Sequence, residues 1–156
     1  MRTRGFTLIE LVITVAIVGL LATAAFPLAE MATRRTKEQE LRLALREIRD
    51  ALDAYKTAFD EGHVIQEVAQ SGYPPDLDVL AAGVEDAKDP DAGTIYFLRR
   101  VPRDPFFPDA TAAASRTWGL RSYESPPAEP QPGEDVFDVY SLSPGTGLNG
   151  VKYRDW

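Results

Sequence analysis

The sequence predicts an α+β fold in which a long N-terminal helix packs on a small antiparallel sheet. Three observations carry this. Phe6 to Ala29 is nearly uninterrupted apolar sequence, and Leu41, Leu45, Ile48, Leu52, Tyr55 and Phe59 recur at alternating steps of four and three. Val136 to Leu142 is a strand-like run, followed by Asn149-Gly150, a strong hairpin-turn dipeptide.

The apolar segment comes first. Its 24 residues hold one charge, Glu10, and are preceded by Arg2 and Arg4. As a helix it spans about 36 Å, enough to cross a hydrocarbon core of roughly 30 Å with some tilt. A cleaved secretory signal fits the same run, because Leu11 to Leu21 followed by Ala22-Thr23-Ala24 offers a small-residue cleavage site. Lys/Arg bias leaves orientation open, since Arg34, Arg35 and Lys37 balance Arg2 and Arg4. Glu10 discriminates between the two readings. A carboxylate in an apolar helix costs up to about 3 kcal/mol at the bilayer centre, so one retained there has work to do unless it sits near the interface and reaches headgroup water.

From Glu30 the composition turns polar, and the apolar stripe makes one face of the helix pack. Ala44, Ala51 and Ala58 border the stripe; Arg42, Arg46, Arg49, Asp50, Asp53 and Lys56 fall largely away from it. The helix is expected to run from Phe6 to about Asp60, with Gly62 as its stop. The stripe lasts under three heptads, which favours covering a sheet over forming a coiled coil. Tyr73-Pro74-Pro75-Asp76 leads into a short helical turn around Leu77, Val79 and Leu80 that ends at Gly83. Val84 to Thr94 reads as acidic turns, and Ile95 to Val101 has strand-like composition without a decisive period. Arg116 to Tyr123 and Val136 to Leu142 read as strands separated by a proline-rich loop, Glu124 to Glu134. Imperfect alternation in the second suggests burial on both faces, and Val151 to Trp156 is expected to return antiparallel to it.

Composition excludes several functions. The chain of 156 residues has no Cys, hence no disulfide, thiolate metal site or cysteine nucleophile. A single His63 rules out a two-histidine zinc site and leaves one candidate for histidine base chemistry. With 17 Lys+Arg against 24 Asp+Glu, the net charge of −7 would repel a phosphate backbone, so nucleic acid is not an expected partner. No enzymatic activity is expected.

Arg4-Gly5-Phe6-Thr7-Leu8-Ile9-Glu10 resembles the processing site of type IV pilins and type II secretion pseudopilins: a short basic leader ending in Gly, then Phe, with Glu at the fifth mature position. Pro27, twenty-second from Phe6, falls where that family usually carries a helix-kinking proline. The resemblance implies that a membrane aspartyl prepilin peptidase cuts between Gly5 and Phe6 on the cytoplasmic side and that the new Phe6 amine is methylated. Glu10 would then neutralise the Phe6 amine of an adjacent subunit and set axial register. It divides the chain into a cleaved leader (1–5), a transmembrane and assembly helix segment (6–29) and a periplasmic globular domain (30–156).

Tyr73-Pro74, Val101-Pro102-Arg103-Asp104-Pro105 and Phe137-Asp138-Val139-Tyr140-Ser141-Leu142 are similar to segments of the major pseudopilin, the G component of type II secretion. Absence of the C-terminal cysteine pair of many major pilins points the same way. Implied partners are further copies in a homo-oligomeric filament, other pseudopilins, the prepilin peptidase and an inner-membrane assembly platform. The implied location is the inner membrane, single-pass, with the globular domain in the periplasm. In that family the loop after the Tyr-Ser-Leu strand commonly binds calcium. Here Ser143 to Gly150 carries no carboxylate, so no metal or other cofactor is expected, and a tight turn would fix the loop instead.

Other motifs carry less. Gly145-Thr146-Gly147-Leu148-Asn149-Gly150 matches GxGxxG but has no helix to open, with six residues remaining. Asp86, Asp89 and Asp91 lack the spacing of an EF-hand and read as an acidic turn; His63 reads as a solvated loop residue, and Trp118, Tyr123, Tyr140 and Trp156 mostly as core. The alternatives to a pseudopilin are a type IV pilus major or minor subunit, and a secreted binding domain cleaved after Ala24. An anchored periplasmic enzyme has the least support.

Overall fold

A computed structural model describes residues 6–65, 71–91 and 93–156, excluding the side chains of 24–27. Gly5 and the Pro27 side chain, both expected to matter for processing or assembly, lie outside the described residues. The chain divides into two units at the Lys37/Glu38 boundary.

Helix α1 runs from Leu8 to Asp60. It stops where expected, for a backbone reason: Gly62 adopts φ +79°, its N–H donates to Phe59 O at 2.8 Å, and the His63 N–H donates to Ala58 O at 2.8 Å. This pair of reversed bonds is a Schellman cap, which a residue free of a Cβ closes at least cost. Beyond it lie α2 (Asp78–Ala82), β1 (Val84–Glu85), β2 (Thr94–Ile95), β3 (Trp118–Arg121) and β4 (Asp138–Ser141), with single 3-10 turns at Ala114–Thr117 and Tyr153–Asp155.

In the unit from Glu38 onward, α1 presents Leu41, Leu45, Ile48, Leu52 and Tyr55, all buried, to Leu77, Leu80, Leu98, Trp118, Val136, Val139 and Tyr153. Phe59 ends the stripe half-buried. Each such aliphatic side chain contributes about 1.5–3 kcal/mol by leaving water. The class is thus α+β, a long helix packed against small antiparallel sheets.

The sheet itself differs from expectation. Among the described residues the strands form two separate two-stranded ladders: β1 with β2 (Val84 opposite Ile95) and β3 with β4 (Gly119 opposite Tyr140). The run from Ile95 to Val101 contributes one strand residue. Its Phe97 and Leu98 N–H groups both turn to the Leu80 carbonyl, at 3.1 and 2.9 Å, and so dock on α2 instead of a strand. The expected strand from Arg116 begins with a 3-10 turn and ends at Arg121, because the Ser122 N–H is drawn to Gln131 O in the proline-rich loop.

Burial along β4 alternates, with Val139 and Ser141 buried and Asp138 and Tyr140 half-buried. The Tyr140 ring lies across Gly119, where an added Cβ would come within 2.3 Å of it. The C-terminal segment turns at Asn149-Gly150 but does not pair with β4. Thr146 and Lys152 form an isolated bridge, and the chain closes as a 3-10 turn that buries Tyr153.

Candidate functional site

The large apolar side chains described in residues 6–23 are exposed. Leu8, Ile9, Leu11, Val12, Ile13, Val15, Ile17, Val18, Leu20 and Leu21 are each more than half exposed. A contiguous apolar surface of this kind marks a membrane or protein contact. By length and composition the helix is able to cross a membrane.

The polar groups inside this segment are mostly satisfied by the helix. The Thr14 hydroxyl donates to Glu10 O at 2.9 Å and Leu11 O at 2.8 Å, and that of Thr23 to Leu20 O at 2.7 Å. Back-bonding of this kind lets a threonine sit among apolar residues without an unmet donor.

Glu10 is handled by the first turn. The Thr7 hydroxyl accepts from the Glu10 N–H at 3.3 Å, while the Glu10 carboxylate accepts from the Thr7 N–H at 3.4 Å and its hydroxyl at 3.3 Å. Thr7-Leu8-Ile9-Glu10 is therefore a capping box, with the acid also at the positive end of the helix dipole. Phe6, immediately before it, is 84 % exposed. Phe6 and Glu10 are thus together at the helix start, whereas Pro27 falls more than four turns further along α1. Thr7 does not stand out by residue type. The T-x-x-E spacing was the available signal.

The second unit holds polar groups of a different kind. Glu38, 6 % exposed, accepts from the Leu148 N–H at 2.8 Å and the Tyr153 hydroxyl at 2.9 Å. Arg49 pairs with Asp138 at 2.8 Å and donates to Val139 O and Trp156 O; Arg42 stacks over the Trp156 ring at 4.3 Å. Three α1 side chains, Glu38, Arg42 and Arg49, therefore fasten the C-terminal segment, although the stripe's period sets Arg42 and Arg49 away from the packed face. Among the described residues no group of three or more His, Asp or Glu side chains is arranged to hold a metal. Loop 143–150 is fixed by Glu38 together with the Gly145 carbonyl, which accepts from Tyr153 N–H at 3.1 Å.

Asp104, 1 % exposed, accepts from the Ser141 hydroxyl at 2.6 Å and the Phe106 N–H at 2.8 Å, bracing the proline-flanked loop against β4. His63 is not a free loop residue: its Nδ1 lies 2.8 Å from Asp86 Oδ1. The Lys88 N–H and then His63 hold the Asp86 carboxyl below its ordinary value of 3.8. Thr111 does the same for Asp109, and burial followed by the Asp53 charge raises the Tyr73 phenol. Trp118 is core, its Nε1 donating to Pro102 O at 2.8 Å, whereas Tyr123 is exposed and stacks on Tyr73 at 6.0 Å.

Residues 1–26 match the family described as the prokaryotic N-terminal methylation motif. Neither the curated proteins nor the solved structures include a significant match to the chain. The chain therefore carries the N-terminal signal of pilin-like proteins, which are typically structural and not enzymatic.

Proposed function

We propose that the chain is a structural subunit of a type II secretion pseudopilus, stored in the inner membrane and assembled into a helical filament that assists protein export. The observation that carries this is the methylation motif over residues 1–26 set on an outward-facing apolar helix. In this reading hydrolysis of the Gly5–Phe6 peptide removes the leader and leaves segment 6–29 attached to a periplasmic domain. The capping box lowers the cost of holding the Glu10 carboxylate in an apolar setting, since Thr7 already supplies two donors. On assembly those local donors are exchanged for the Phe6 ammonium of a neighbouring copy, a stronger charge-assisted contact. Lipid contacts of α1 are exchanged for helix contacts. No reaction is catalysed by the subunit.

The secretion assignment, as opposed to a type IV pilus, rests on the segments around Tyr73-Pro74, Val101 to Pro105 and Phe137 to Leu142 and on the absence of Cys. N-terminal mass analysis of the mature protein tests the processing. A chain beginning with N-methylated Phe6 is expected; one beginning with Ala25 would identify a secreted domain. In a deletion strain, loss of export with intact twitching is expected, and loss of twitching alone would assign the chain to a pilus.

A further inference from the structure

We infer that Arg34, Arg35 and Lys37 form a phosphate-binding collar that seats α1 on anionic phospholipid headgroups at the end of the apolar segment away from Phe6. All three are exposed, and the last large apolar residue before them, Met31, is 49 % exposed. Helical rise places them about 42–47 Å from Phe6, against roughly 40–45 Å for a bilayer including its headgroups. With Phe6 at one interface, these cations reach the other.

Their polar neighbours are already satisfied: the Thr33 hydroxyl donates to Ala29 O at 3.0 Å and that of Thr36 to Ala32 O at 3.2 Å. The helix at this level exposes three cationic side chains. Arg34 and Lys37 also make contacts within the chain, and Glu30, one turn before Arg34, offsets part of the charge. Segment 31–37 nevertheless carries three positive charges and no negative one. Beyond Lys37 the chain has 22 acidic and 12 basic residues, a net −10. Such a body is repelled by an anionic membrane surface, whereas each Arg or Lys beside that surface is attracted to it, with a range set by a Debye length of about 8 Å. The collar therefore sets how deep the helix sits and opposes the repulsion of the acidic remainder.

This inference rests on the reading that segment 6–29 spans a membrane. The test uses the full chain carrying Ala32→Cys, labelled with a fluorophore at the single thiol and reconstituted in phosphatidylcholine vesicles. Spin-labelled phosphatidylglycerol or spin-labelled phosphatidylcholine is added at equal mole fraction as quencher. Quenching by phosphatidylglycerol should exceed that by phosphatidylcholine at least twofold. The excess should vanish in high salt and in the Arg34→Gln/Arg35→Gln/Lys37→Gln variant. Equal quenching by the two lipids would overturn the inference. So would an emission change that follows protein density and not lipid charge, which would give the collar to the acidic unit of a second copy. Carbonate extraction of the same vesicles separates the two failures: an extracted chain defeats the membrane reading, and a retained chain without lipid preference defeats the collar alone.

Discussion

The two halves of α1 share one helix and obey opposite rules. Over residues 6–23 the large apolar side chains stay exposed, and the threonine hydroxyls close on the backbone one turn away. After Lys37 a single stripe is apolar and buried, and the polar groups reach residues about 90 to 115 positions distant. A helix apolar all round suits lipid or other helices; a striped one is completed by its own domain. Under the proposed function the first half serves an intermolecular environment, and the second is completed within its own unit.

Core substitutions should expose that contrast most strongly. Ile48→Ala is expected to cost about 2–5 kcal/mol of unfolding free energy, because Ile48 is fully buried, whereas Ile17→Ala should leave it unchanged. Denaturant melting of the detergent-solubilised chain measures both, and an equal loss at the two positions would erase the distinction. Glu38→Ala ranks next. It removes the carboxylate that accepts from the Leu148 N–H and the Tyr153 hydroxyl, should cost about 1–3 kcal/mol, and should release amide-exchange protection at Leu148 before the rest of the domain. Unchanged protection would mean that loop 143–150 is held by other contacts.

Thr7→Ala removes one side of the capping box and should cost about 1 kcal/mol, read as fraying of the first α1 turn by NMR in micelles with no change in domain melting. The smallest effect is a pH effect. Asp86 has a folded value below its ordinary 3.8, so it stabilises above that value, and the contribution is lost as pH falls through the lower one. Melting temperature should therefore drop on acidification slightly more in the native chain than in Asp86→Asn.

Legibility in the sequence follows the same division. The buried stripe and its Gly62 stop were readable because a 3.6-residue period and a positive-φ cap are local properties. Glu38 lies three residues before Leu41, in phase with that stripe, so its burial had a signal, yet its partners at 148 and 153 depend on tertiary closure. The Arg49–Asp138 pair and the two-residue strands β1 and β2 were illegible for the same reason: each is decided by distant backbone positions. In the candidate site, Phe6 and Glu10 stood out as residue types in a short motif. What Thr7 does for Glu10 emerged only from the helix start itself.

The most direct test of the account replaces Glu10 by Ala and follows the mature chain in membranes and in assembled filaments. The account predicts normal membrane retention, normal cleavage before Phe6 and a severe loss of filament incorporation, because the proposed function makes this acid the acceptor of the neighbouring ammonium. Incorporation at the native level would contradict it.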